Sequence, residues 1–145
     1  PGRLQLVGVA PTVLVDSAHN PHGARALVAA LGDSFDFDEW GIVLGAFGDK
    51  DIAGIVSTIV PAATHVFATA PDSDRAADPD TLADLVEAAG AQVTVHRDLA
   101  EAAEAAREWA SASERRAVVI AGSVVLAGEA VQLAAAEDWK DGWQA

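Results

Sequence analysis

The chain contains no cysteine, no methionine and no tyrosine. Without cysteine there can be neither disulfides nor thiolate-ligated metals, and a reducing cytoplasm is the natural compartment. Basic residues are scarce: 9 Lys and Arg against 22 Asp and Glu leave a formal charge of −13 on 145 residues. So acidic a surface repels phosphate backbones and argues against a nucleic-acid partner. No apolar run approaches the roughly 20 residues of a membrane span, so no membrane partner is expected. No basic n-region followed by an apolar h-region marks a signal peptide.

What is present fits a single folded domain over 1–145. Half of the residues are hydrophobic and 21% are charged, which excludes a disordered segment. A chain of this length can bury roughly 70% of its unfolded surface. The high Ala and Gly content fits a GC-rich coding bias better than it fits any function. The chain opens at Pro1-Gly2-Arg3 without an initiator Met, and is expected to be a fragment of a longer protein.

Short apolar runs alternate with helical periodicity. Leu4–Gly8 and Val13–Asp16 read as strands joined tightly through Val9-Ala10-Pro11-Thr12, and folding that hairpin lays Arg3 beside Asp16 or Ser17. Ala24, Leu27, Val28 and Leu31 form one face of a helix that begins at Asn20-Pro21 and stops at Gly32. Trp40–Phe47 is the next strand, followed by a helix through Ile52, Ile55, Val56 and Ile59 that Pro61 ends. His65–Ala70 is a strand, and Asp78-Pro79 opens a helix that Gly90 closes. Gln92–Val95 is a strand. Asp98-Leu99-Ala100-Glu101 has the form of a capping box before an Ala-rich helix. Ala117–Ala121 is a last buried strand, and Gly122-Ser123 leads into a final helix. This order predicts an α/β, Rossmann-like fold: a mostly parallel sheet of about six strands, one antiparallel edge strand, and helices on both faces.

Such sheets bind ligands where strands end and helices begin. At "DSAHNP", Asn20 and Pro21 are explained by helix capping, whereas Asp16 and His19 are not. An acid at a strand's carboxyl end can accept hydrogen bonds from a ribose, and Arg3 across the hairpin can add a cation. "GAFGDKD" is glycine-rich but has the wrong spacing for a phosphate loop; Lys50, flanked by acids, is expected to be ion-paired, and the loop is either a structural turn or a substrate-side loop. In "TAPDSDRAAD", Arg75 is expected to form solvated salt bridges. At "IAGSVVLAGE", Ser123 serves either as a helix cap or, with the amides around it, as a holder of a carboxylate or phosphate. No Gly-x-Ser-x-Gly elbow surrounds it. His65 and His96 fall in strand patterns as packing or surface residues, His22 in an exposed first turn, and the four tryptophans in core or tail packing. No metal-ligating set is assigned within the chain.

"PGRLQLVG", "PTVLVDSAHNPHGARAL", "GAFGDKD", "TAPDSDRA" and "AGSVVLAGE", in this order and spacing, resemble the C-terminal domain of folylpolyglutamate synthase/dihydrofolate synthase, in the Mur ligase family. The resemblance implies an ATP-dependent ligase that activates a carboxylate as an acyl phosphate for attack by the amine of L-glutamate. It implies that Arg3 and Asp16 contact ATP, Asp16 through the ribose hydroxyls, with His19 and Ser123 either on the glutamate side or orienting the closed cleft. The substrates it implies are ATP, L-glutamate and a folate or dihydropteroate. Magnesium and the phosphate loop are expected on the parent's own N-terminal ATPase domain, the opposite wall of the cleft, so the isolated chain is expected to be inactive. Ser17 stands where many relatives carry Gly. Another Mur-family amide ligase, or a non-catalytic nucleotide-binding α/β module, is the alternative.

Overall fold

The computed structural model describes residues 4–143. Six strands, β1 (Gln5–Gly8), β2 (Val13–Val15), β3 (Glu39–Leu44), β4 (His65–Ala68), β5 (Gln92–Val95) and β6 (Arg116–Ala121), form one sheet in the order β1-β2-β6-β3-β4-β5. β1 pairs antiparallel with β2 and every other pairing is parallel, as the strand–helix alternation requires. The core strands β6 and β3 are apolar on both faces: Ala117–Ala121 and Trp40–Leu44 are buried throughout.

The helices α1 (Pro21–Ser34), α2 (Ile52–Ile59) and α3 (Pro79–Ala88) cover one face, burying Leu27, Leu31, Ile55, Ile59, Leu82 and Val86 against Leu14, Ile42, Val66 and Val119. The helices α4 (Leu99–Ser111) and α5 (Val124–Ala136) cover the other, packing their small residues against Val13, Val15, Val43, Phe67, Val118 and Ile120. Alternate strand residues thus feed two separate cores. Buried alanines on α4 and α5 allow these helices to approach the sheet closely.

Several expected boundaries move. α1 runs past Gly32 to Ser34, because Gly32 adopts no left-handed conformation that would stop it. β3 ends at Leu44 and β4 at Ala68, each shorter than its apolar run, because the chain turns away into the loops that build the carboxyl edge. The capping box at α4 is half formed: Asp98 accepts from the amide of Glu101, but the Glu101 carboxylate takes the Arg97 guanidinium at 2.7 Å. Trp139, in the short 3-10 turn Trp139–Asp141, is fully buried beneath the hairpin, and its carbonyl accepts from the amide of Val9.

Candidate functional site

Four of the five parallel strands deliver their following loops to one place. The ladder extends beyond the strands: the Asp16 amide donates to the Ile120 carbonyl at 3.0 Å, Gly45 to Ala121 at 3.3 Å and Thr69 to Leu44 at 2.9 Å. Gly122 then donates to the Ala18 carbonyl at 2.9 Å, joining the loop after β6 to the loop after β2. Gly122 has φ +117°, and a Cβ there would lie 2.4 Å from the Gly45 carbonyl oxygen. Only glycine lets these loops pass so closely.

Asp16 is the organising residue. Only 5% exposed, it accepts the amide of Leu4 on Oδ1 at 2.9 Å and the amide of Ala18 on Oδ2 at 2.8 Å. It therefore fixes both the start of β1 and the loop that follows β2. Each carboxylate oxygen retains acceptor capacity for one more donor. His19 is half-buried, and its Nδ1 lies 3.0 Å from the Ser17 carbonyl. A carbonyl only accepts, so Nδ1 carries the proton and Nε2 is left for another partner. Asn20 caps α1 through Gly23 at 2.8 Å, with Pro21 in the first turn, as its sequence position indicates.

Together Leu4, Asp16, Ser17, His19, Asn20 and His22 line an open cavity of about 260 Å³ over the start of α1. Arg3 lies outside the described residues, so its expected place beside Asp16 is not part of this geometry. His22 is exposed on the rim.

Ser123 is 1% exposed, and its Oγ accepts from the amides of Val125 at 3.0 Å and Leu126 at 3.2 Å. Its visible work is to cap α5, the first of the two readings that its sequence position allowed. Thr69 carries a buried hydroxyl with no hydrogen-bond partner at the end of β4; nothing in the sequence singled it out.

The loop after β3 corrects one expectation. Lys50 makes no ion pair among the described residues; its neighbour Asp49 pairs with Arg75 at 2.9 Å, and the Arg75 guanidinium stacks 4.4 Å over the Phe47 ring. The planar guanidinium can satisfy a carboxylate and an aromatic face at once, which an ammonium cannot. The Arg75 hydrogen bond holds the Asp49 carboxyl below its ordinary range. Arg75 thus forms the solvated bridge expected of it. The amides of Gly45, Gly48 and Lys50 are bonded to the Ala121, Arg75 and Phe47 carbonyls, so these three are not free to cradle a phosphate. Pro21 packs against Gly54, where a Cβ would lie 2.7 Å from Pro21 Cγ, so the starts of α1 and α2 adjoin.

Among the described residues no group of three His, Asp or Glu is arranged to hold a metal ion, and the residues at this edge do not fit a magnesium site.

The family model for the glutamate ligase domain of Mur ligases matches residues 2–124. A bifunctional folylpolyglutamate synthase/dihydropteroate synthase of Halobacterium salinarum is 41% identical over 131 residues, which cover 90% of this chain and 16% of that protein. The dihydrofolate synthase/folylpolyglutamate synthase of Mycobacterium tuberculosis is 40% identical over 143 residues, 90% of this chain and 29% of that protein. The structure of a Mycobacterium tuberculosis folylpolyglutamate synthase complexed with ADP superimposes with a TM-score of 0.87 at 38% identity, covering 92% of this chain and 32% of that one. The chain thus spans less than a third of the relatives it matches. It belongs to the Mur ligase family, as a glutamate ligase domain.

Proposed function

We propose that this chain is the glutamate-ligase domain of an ATP-dependent folate:glutamate ligase, a folylpolyglutamate synthase with or without dihydrofolate synthase activity. One observation carries the reading: the cavity over α1 is lined by Asp16, His19 and Asn20 of the motif that carries the family resemblance, at the carboxyl end of a parallel strand where such folds bind ligands. Family membership and the similarity to relatives with these names support it. The longer protein works in the cytoplasm, in keeping with a chain free of cysteine.

In this proposal the parent transfers the γ-phosphoryl group of ATP to a carboxylate of the folate or dihydropteroate. The amine of L-glutamate attacks the acyl phosphate, phosphate leaves, and an amide forms. The phosphate-binding and magnesium-binding groups belong to the parent's ATPase domain, the partner of this one. The chain supplies the other wall and acts by positioning a bound amine and excluding water from the acyl phosphate. Asp16, with Arg3, faces the ribose of ATP. His19 faces glutamate through Nε2, and Ser123 acts on the same side by fixing the start of α5. Lys50, which makes no ion pair among the described residues and lies next to the start of α2, is a cation available to a substrate carboxylate.

The test uses the longer protein, with steady-state kinetics resolved by substrate. His19→Ala is expected to raise the KM for glutamate by about tenfold, a loss of roughly 1.4 kcal/mol, and to change that for ATP much less. Asp16→Asn retains one acceptor oxygen and is expected to weaken ATP binding. Unchanged ATP affinity in a folded Asp16→Asn enzyme refutes the ribose role, and a defect confined to glutamate moves Asp16 to the other substrate. Substantial ligation by the isolated chain refutes the division of labour altogether.

A further inference from the structure

Exposed apolar side chains are ordinary when scattered and informative when adjacent at a ligand-binding edge. Val124 and Val125, 58% and 37% exposed, stand side by side in the first turn of α5. Valine is a poor helix former, so local helix stability does not call for them. Their position is central. β6 lies between β2 and β3, and α5 leaves it toward one face of the sheet while α1 and α2 leave their strands toward the other. Helices that part in this way open a crevice at the carboxyl ends of the strands. His19 and Asn20 stand at the start of α1 on one side of it, Val124 and Val125 at the start of α5 on the other, and the Gly122–Ala18 hydrogen bond joins the two loops. One turn along α5 the Glu129 carboxylate accepts the amide of Asp72 at 3.3 Å, so the rim beside the valines is acidic.

We propose that Val124 and Val125 are the surface on which the ATPase domain of the longer protein closes, meeting them with apolar side chains rimmed by basic ones. The inference rests on the ligase reading above. The path of the chain supports it. The Leu4 amide donates to Asp16 at 2.9 Å, so antiparallel β1 begins at the carboxyl end of the sheet, two strand spacings or roughly 10 Å from β6. A domain joined ahead of Leu4 is therefore tethered beside the valines. Two side chains fall far short of the roughly 1,000 Å² that holds separate proteins together. A short tether, in contrast, supplies an effective concentration in the millimolar range, at which a small contact suffices. A second copy of this chain would also bring a charge of −13 against its own kind. Closure over the valines removes apolar surface from water in the closed state alone, and so shifts the equilibrium toward the state that shields the acyl phosphate.

The test uses the longer protein. Val124→Cys is labelled with a maleimide and the labelled peptide followed by mass spectrometry, with Glu114→Cys, exposed just ahead of β6 at the amino end, as the control. A non-hydrolysable ATP analogue with Mg²⁺ and glutamate is expected to slow labelling at position 124 by about tenfold or more and to leave position 114 unchanged. Val124→Ser/Val125→Ser should keep the unfolding midpoint, since both side chains are exposed. It should lower kcat/KM for ATP, glutamate and the folate alike by about tenfold, because one closure serves all three. Labelling at position 124 that is as fast with ligands as without overturns the proposal. So does a defect confined to one substrate, which would make the valines a substrate contact, and so does protection that grows with protein concentration, the mark of a second copy. Failure of the ligase reading looks different: a longer protein that forms no glutamyl amide, yet protects position 124 when the ATP analogue binds, keeps the contact and loses the activity.

Discussion

The two ends of the sheet use most of their polar side chains differently. At the amino end charge answers charge: Arg115 bonds Asp38 at 3.1 Å and Asp36 at 3.2 Å, and Arg116 bonds Glu39 at 3.0 Å while stacking 4.5 Å over Trp109. At the carboxyl end the Asp49–Arg75 and Glu101–Arg97 pairs lie out in the loops, while Asp16, Asn20, Asp51 and Ser123 all accept backbone amides. The first arrangement is closed on itself, whereas the second fixes loop shape and leaves His19 Nε2 and the Lys50 ammonium for something else. The difference separates an end whose side chains hold the fold together from the end at which we place the ligand.

The comparison is broken most severely at Gly122. Gly122→Ala forces a Cβ against the Gly45 carbonyl at a positive φ, and is expected to cost on the order of 3 kcal/mol or more in denaturant unfolding. Gly128→Ala, within α5, meets nothing within 4 Å and is expected to stabilise by up to about 1 kcal/mol. Equal effects from the two substitutions would show that the crossing of loops at Gly122 is not tight. Ser123→Ala comes next. It leaves the amides of Val125 and Leu126 without their acceptor and should cost about 1 kcal/mol, with Ser123→Gly costing only a few tenths. If Ser123→Ala left stability intact yet impaired glutamate use in the parent, the hydroxyl would be a substrate contact and not a cap.

Much of this was legible in the sequence, for local reasons. The caps at Asn20, Asp78, Asp98 and Ser123 lie within three residues of the amides they serve, so spacing alone locates them; the Asp51 cap of α2 was not read from the sequence. The apolar runs of β3 and β6 show two-sided burial directly. What was hidden depends on register. The Asp16 contact to Leu4 spans 12 residues and that of Arg75 to Asp49 spans 26, and neither partner is distinguished by sequence from other nearby acids and amides. Flanking charge suggested that Lys50 was paired, but an arginine from the next loop took the acid. His65 and Thr94 are 29 residues apart and meet only through the β4–β5 pairing. Arg107 is similar: α4 places its buried guanidinium 4.9 Å from Trp139 and 5.1 Å from Trp143, where burial lowers its pKa and Nε finds no partner.

The smallest effect is expected at the amino end, and it tests whether that end matters only to the fold. Arg115 is exposed, and its hydrogen bonds and charge hold the Asp38 carboxyl below its ordinary range without burying either group. Ion pairs of this kind are opposed by side-chain entropy and screened by salt. Arg115→Gln also removes one of only nine basic residues from a chain of charge −13, which adds to self-repulsion. A slight fall in the thermal midpoint is therefore expected at low ionic strength, vanishing at about 1 M NaCl, where the Debye length is roughly 3 Å. Substrate KM values in the parent should not change. A loss that persists in high salt would mean that Asp36 and Asp38 depend on Arg115 for their conformation as well as their charge. A shifted KM would make the amino end part of the functional apparatus, and the contrast between the two ends would no longer hold.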